Sequence, residues 1–158
     1  INNAISDIRS YVSDLRPRQM VENKTFPENL ELLLQEFESN ARISATFENQ
    51  TRSPLGIPYQ NAVTLFRICQ EALSNIARHA DASKANVELW QEDGRTYLQV
   101  EDNGKGFNLD QAEANLGHGL SNMQRRTRKV GGDLTIDSAP LQGTSVVAWV
   151  PSQSREEE

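Results

Sequence analysis

The chain has a single cysteine in 158 residues, Cys69, so it can form neither an internal disulfide nor a cysteine-cluster zinc site. It has two histidines, His79 and His118, too few with one thiol to build a transition-metal centre. Aromatics are sparse at 6%, and no apolar run approaches the roughly 18 residues that a membrane-spanning helix needs. Positive charge is short as well: 16 Lys and Arg face 22 Asp and Glu, a net charge of −6. That balance lacks the broad basic field of a non-specific polyphosphate binder, so no nucleic-acid partner is expected and any phosphate site must be local. There is no signal-peptide pattern, and without one the Asn-X-Thr matches at Asn23 and Asn49 carry little weight. The expectation is a soluble, intracellular chain.

What is present suffices for one domain. Near this length a fold buries roughly 68–70% of its unfolded surface, enough for a core without staples. Ile1, Ile5, Ile8, Val12 and Leu15 step by four and three, an a/d seam that Pro17 closes. This reads either as the end of a longer dimerising helix or as a surface helix packed on its own domain. A helix is expected after Pro27 with Leu30, Leu33, Leu34 and Phe37 on one face, then a strand from Ile43 to Phe47. The longest helix runs from Tyr59 to about Ala80, with Ala62, Leu65, Phe66, Cys69, Leu73, Ile76 and Ala77 at helical spacing toward the core. Within it Cys69 reads as a small buried residue rather than a nucleophile. Strands Ala85–Trp90 and Thr96–Val100 flank a hairpin signal at Glu92-Asp93-Gly94-Arg95. A glycine-rich stretch spans Asp102 to Gly119, a helix follows from Leu120 to Val130, and Gly131-Gly132 stops it. Strands at 134–136 and 145–150 close the domain before an acidic tail. The pattern is α+β: a mostly antiparallel sheet covered by helices in two layers, after a helical stub.

Three segments could carry chemistry. Glu71 and Asn75 lie one turn apart on one helix flank, where a carboxylate and a carboxamide can hold hydrated magnesium, an ion that prefers oxygen ligands. Arg78 or His79 could meet phosphate oxygens there; alone, the cluster reads first as a solvated helix face. Asp102-Asn103-Gly104-Lys105-Gly106 follows a strand. It is not a phosphate-binding Walker loop, because no Ser or Thr follows Lys105 and no glycine stands five residues before Gly104. It is not a dinucleotide fingerprint, because Leu109 takes the place of the third glycine. An aspartate at a strand end is a pure acceptor suited to an exocyclic amine, and adjacent glycines admit a flat ring; a plain turn is the alternative. Gly117-His118-Gly119-Leu120 opens a helix, whose unpaired N–H groups and dipole favour phosphate. Flexibility alone would also explain those glycines.

In this order and spacing, Glu71-x-x-x-Asn75, Asp102-x-Gly104-x-Gly106 and Gly117-x-Gly119-Leu120 resemble the asparagine box and the two glycine boxes of the GHKL ATPase superfamily. Gly143-Thr144 resembles that superfamily's final Gly-Thr step. Arg78-His79-Ala80-Asp81-Ala82 and the run from Gly119 to Arg126 are similar to the nitrate-sensor and DesK-like subfamily of sensor histidine kinases. The run from Ile8 to Pro17 resembles the end of that subfamily's second dimerisation helix.

The resemblance implies a Bergerat-type α/β sandwich that binds ATP and Mg2+, with residues 1–17 as a dimerisation-helix end, 18–151 as the catalytic domain and 152–158 as an acidic tail. Asn75 would be the metal ligand, and Asp102 would accept from adenine N6, with Gly104 and Gly106 beside the ring and Thr144 supporting Asp102. Gly117, His118, Gly119 and Leu120 would form the phosphate end, under a lid from Phe107 to Leu116. Arg78 or His79 would neutralise phosphate charge, and Glu71 would orient the phosphoryl acceptor or act as base. Neither histidine stands on a dimerisation helix, so the acceptor would belong to a segment outside this sequence. The implied partners are those phosphoacceptor helices, a second copy in the full-length homodimer, and a response regulator receiver domain. The implied location is the cytoplasm, as a free protein or as the inner part of a membrane-bound sensor. Alternatives are a nucleotide-binding module without turnover and an anti-sigma-factor serine kinase.

Overall fold

The computed structural model describes residues 19–108 and 119–153. The seam of residues 1–17, the lid from residue 109 onward, Gly117, His118 and the last five residues lie outside the described residues.

Helix α1 (Phe26–Ala41) begins where Thr25 caps it. The Thr25 hydroxyl oxygen accepts the Glu28 N–H at 3.2 Å, and its proton goes to the Glu28 carboxylate at 3.0 Å. Pro27 costs nothing in this first turn, because its missing N–H would have had no intrahelical partner. Arg42, in the left-handed region at φ 56°, ends the helix. Its N–H returns to the Glu38 carbonyl. The buried face carries Leu30, Leu33, Leu34 and Phe37, joined by Phe26 at the cap.

Strand β1 (Ser44–Asn49) precedes helix α2 (Tyr59–His79), followed by strands β2 (Lys84–Glu92) and β3 (Arg95–Asp102). Helix α3 (Gly119–Lys129) and strands β4 (Asp133–Ser138) and β5 (Thr144–Pro151) complete the described fold. The sheet order is β1-β2-β3-β5-β4. β1 and β2 run parallel, with α2 as their crossover, and the other three pairs are antiparallel. Burial alternates along β2 and β3, with Ala85, Val87, Leu89, Leu98 and Val100 turned to the helices. This period of two leaves the other face open, which makes the domain two layers deep. On that open face Trp90 stacks on Tyr97 with ring centroids 5.2 Å apart, and the Arg95 guanidinium lies over Trp149 at 3.8 Å. The β2–β3 turn places Asp93 and Gly94 at φ 50° and 76°, the paired positive dihedrals of a two-residue hairpin.

Helix α2 buries Ala62, Leu65, Phe66, Cys69, Leu73 and Ile76 as its spacing predicts, but Ala77 is exposed. At about 100° per residue, Ala77 lies about 80° round the helix from Cys69, on the flank opposite the buried Asn61, Ile68 and Ala72. The core stripe is therefore rotated toward the second flank. No described helix is long and apolar enough to cross a membrane.

Burial pushes the Cys69 thiol up to about 12. At pH 8 about one molecule in ten thousand would carry the reactive thiolate. A thiol reagent such as a disulfide dye should therefore label Cys69 only as the domain opens, with full labelling in urea. Labelling of the native chain at the rate of an exposed cysteine would contradict its place in the core.

Candidate functional site

An open cleft lies between the C-terminal half of α2 and the ends of β3 and β5. Asn75, Ile76 and His79 line it from α2, and Val100 and Asp102 from β3. Gly106, Phe107, Leu120, Thr144 and Val146 complete the walls. Apolar walls with a few polar groups at the rim suit a flat heterocycle with a polar edge.

Asp102 ends β3 opposite Thr144 of β5, which in turn pairs with Ser138 of β4, so one row crosses three strands. The Asp102 carboxylate accepts the Gly104 N–H at 2.7 Å. Burial raises its pKa above the ordinary carboxylate value, with Glu101 adding to the shift, against the backbone N–H groups of Gly104 and Thr144. A half-buried carboxylate held at a proton-affinity cost, facing a cleft, is a functional candidate. Thr144 thus supports Asp102 through its backbone, while its hydroxyl lies 2.9 Å from Ser138 Oγ.

The glycines of the loop make room for protein backbone. A Cβ on Gly104 would overlap the Ala80 carbonyl, the same group that accepts the Lys105 N–H at 2.7 Å. Gly106, at φ 62°, packs against the Ala139 carbonyl. Gly143, at φ 73°, packs against the carbonyl of Asp102 itself. The loop is thereby pinned between the end of α2 and the β4–β5 turn. Gly143→Ala combines a left-handed backbone with a backbone overlap, so it should cost about 2 kcal/mol or more of stability. Urea unfolding measures this, and an unchanged midpoint would mean that the turn relaxes freely.

Asn103 and Ser138 do not line the cleft but hold the segments that do, and sequence reasoning misses both. Asn103 Oδ1 accepts the N–H groups of Ser83 and Lys84 at 3.0 and 2.9 Å, and its Nδ2 donates to Ser83 Oγ at 2.8 Å. It ties the loop after β3 to the turn before β2. Asparagine in an Asp-Asn-Gly turn signals local chemistry, but its partners here are 19 and 20 residues away.

On α2, Asn75 and His79 line the cleft; Arg78, exposed like His79, lies about 100° round the helix from it. Desolvation lowers the His79 pKa, helped by the charges of Arg78 and Lys105. Its imidazole is therefore neutral at pH 7 and can donate or accept one bond, leaving the charge to Arg78. Glu71 approaches the start of α3: a Cβ on Gly119 would come 2.7 Å from its Oε1. A carboxylate there faces the positive end of the helix dipole, the end that also attracts phosphate. Leu120 follows as a cleft wall. Among the described residues, no group of three His, Cys, Asp or Glu could hold a metal alone.

Residues 60–154 match the family model of histidine kinase-, DNA gyrase B- and HSP90-like ATPases. The chain is 35% identical over 146 residues to the histidine-protein kinase/phosphatase UhpB of Salmonella typhimurium, covering 92% of this chain and 28% of UhpB. It is 38% identical over 149 residues to the sensor histidine kinase LiaS of Bacillus subtilis, covering 94% of this chain and 40% of LiaS. The chain thus spans well under half the length of these curated relatives. The structure of full-length ShkA in complex with AMPPNP superposes with a TM-score of 0.65 at 18% identity, over 87% of this chain and 31% of ShkA. Boxes, topology and family match agree: the chain belongs to the histidine kinase-, DNA gyrase B- and HSP90-like ATPase family, and within it is homologous to the ATP-binding catalytic domains of sensor histidine kinases.

Proposed function

We propose that this domain binds ATP with Mg2+ and transfers the γ-phosphoryl group to a histidine on a dimerisation helix outside this sequence. The full-length homodimer would then pass the group to an aspartate on a response regulator receiver domain, from a cytoplasmic position. The observation that carries the reading is the cleft itself, lined by a partly desolvated Asp102 from β3 and by Asn75 from α2.

Asp102 would take a proton-bearing edge of the base, since a carboxylate only accepts. The donor set suits magnesium held mainly by phosphates and water, because the one amide oxygen of Asn75 meets the ion's preference for few protein ligands. Bound there, magnesium would screen the charge of the triphosphate. Arg78 and the neutral His79 would supply charge and a hydrogen bond beside it. The backbone of Gly117, His118 and Gly119 would offer N–H groups to the terminal phosphates. Glu71, beside Gly119, would orient the acceptor imidazole or receive its proton. Phosphoryl transfer asks for this kind of positioning and charge compensation rather than covalent help.

The test mixes this chain with a separate histidine-bearing dimerisation domain, ATP and magnesium. Acid-labile phosphohistidine on that domain is expected. Nucleotide bound without any transfer would favour a binding module instead.

A further inference from the structure

We infer that Ser138 is a positioning residue for base selectivity: it fixes the Thr144 hydroxyl as an acceptor, so that the side chains of Asp102 and Thr144 offer the cleft only lone pairs. The inference rests on the reading above that an adenine base occupies this cleft.

Ser138 Oγ makes three contacts and has one hydrogen. A carbonyl cannot donate, so the Ser138 proton goes to the Gly143 carbonyl at 3.1 Å. An amide N–H cannot accept, so one Ser138 lone pair takes the Phe107 N–H at 3.0 Å. The second lone pair remains for Thr144 Oγ1 at 2.9 Å, and the Thr144 hydroxyl must supply the proton for that bond. Thr144 is then left with lone pairs alone. Both Thr144 and Asp102 line the cleft, side by side in one row of the sheet. Asp102 is an acceptor by chemistry, and Thr144 becomes one by its neighbour.

An exocyclic amine brings two N–H donors to such an edge, directly or through one water. A 6-oxo purine moves its donor to N1–H and puts a carbonyl at the 6-position, whose lone pairs would face those of Asp102 and Thr144. Sites built around a donor reject analogues that lack it far more strongly than apolar pockets reject a methylene. Without Ser138 the Thr144 hydroxyl would be free to turn its proton into the cleft and accept the oxo base.

Calorimetry with ATP and with inosine triphosphate, both with magnesium, tests this. The native chain should bind ATP at least about 100-fold more tightly. In Ser138→Ala that ratio should fall about tenfold, and Ser138→Thr should restore it. General loosening of the site would weaken both nucleotides together and leave the ratio alone. Ser138→Cys, nearly the same size with a weak sulfur acceptor, gives a second reading should the alanine variant not fold. In a Thr144→Val background, Ser138→Ala should leave the ratio unchanged. An unchanged ratio in folded Ser138→Ala or Ser138→Cys that still bind ATP would overturn the inference. Failure of the native chain to bind ATP at all would instead overturn the reading on which it rests.

Discussion

In Asp102→Asn, ATP affinity measured by calorimetry should fall by 100-fold or more while the domain stays as stable as the native chain. The substitution keeps the size of the side chain but puts an amide donor where the base amine also donates. The loss should be of the order found when one partner of a desolvated charged hydrogen bond is removed, ~2–5 kcal/mol. Stability should move differently. Burial raises the Asp102 pKa in the fold, so the group's favourable contribution is complete only below its unfolded value and is lost as pH rises through the folded one. At pH 7 the carboxylate is thus a net cost to folding, and its replacement should leave the urea midpoint level or slightly higher. For the same reason, ATP affinity of the native chain should decline on acidification at a higher pH than an ordinary aspartate would give. Native-like affinity in Asp102→Asn would remove the aspartate from the base site, and a lost fold would mean that it is structural.

The elements were legible because their periods were clean. A stripe of 3.6 predicts α1 and α2, and a period of two predicts β2, β3 and β5, each within a few residues of its observed bounds. Ala77 went the other way because the apolar spacing of α2 allows a stripe on either flank, and only the packing of Asn61, Ile68 and Ala72 selects one. The parallel pairing of β1 with β2 was not legible from either strand. It depends on a crossover that contains a 21-residue helix, and no local pattern states which neighbour the returning strand will find.

Of the site, the side chains with a distinctive local grammar could be read: Asn75 on its helix flank, Asp102 at a strand end, the glycines around it. The contacts that hold them could not. Ser138 meets Phe107 across 31 residues, and Glu71 meets Gly119 across two helices distant in sequence. Serine at a strand end and glutamate on a helix carry no signal of partners so remote. Topology alone brings them together, Ser138 through the row that joins it to Thr144 and Asp102 and Glu71 through the packing of its helix beside Gly119. The acidic balance of the chain is consistent with this economy. Among the described lining residues of the cleft none is Lys or Arg, so phosphate charge would fall to backbone amides, a metal and Arg78 beside it.

Asn75→Ala should separate binding from transfer. Asn75 lines the cleft from α2 with His79 one turn further on, on a different element from Asp102 and Thr144. Removing its amide takes away an oxygen ligand for magnesium without touching Asp102, Thr144 or the apolar walls. Nucleotide affinity measured in the presence of a chelator should therefore stay near the native value, and the gain that magnesium gives the native chain should shrink. Phosphohistidine formation on an added dimerisation domain should fall about 100- to 1,000-fold, the size of effect seen when one preorganised electrostatic group is removed from a transfer site. Asn75→Asp offers an oxygen ligand again with an extra negative charge, so it should recover magnesium dependence better than transfer. If Asn75→Ala transferred phosphate at the native rate, the metal would have to be held elsewhere. If it lost chelator-insensitive binding as well, Asn75 would belong to the nucleotide pocket itself rather than to the metal.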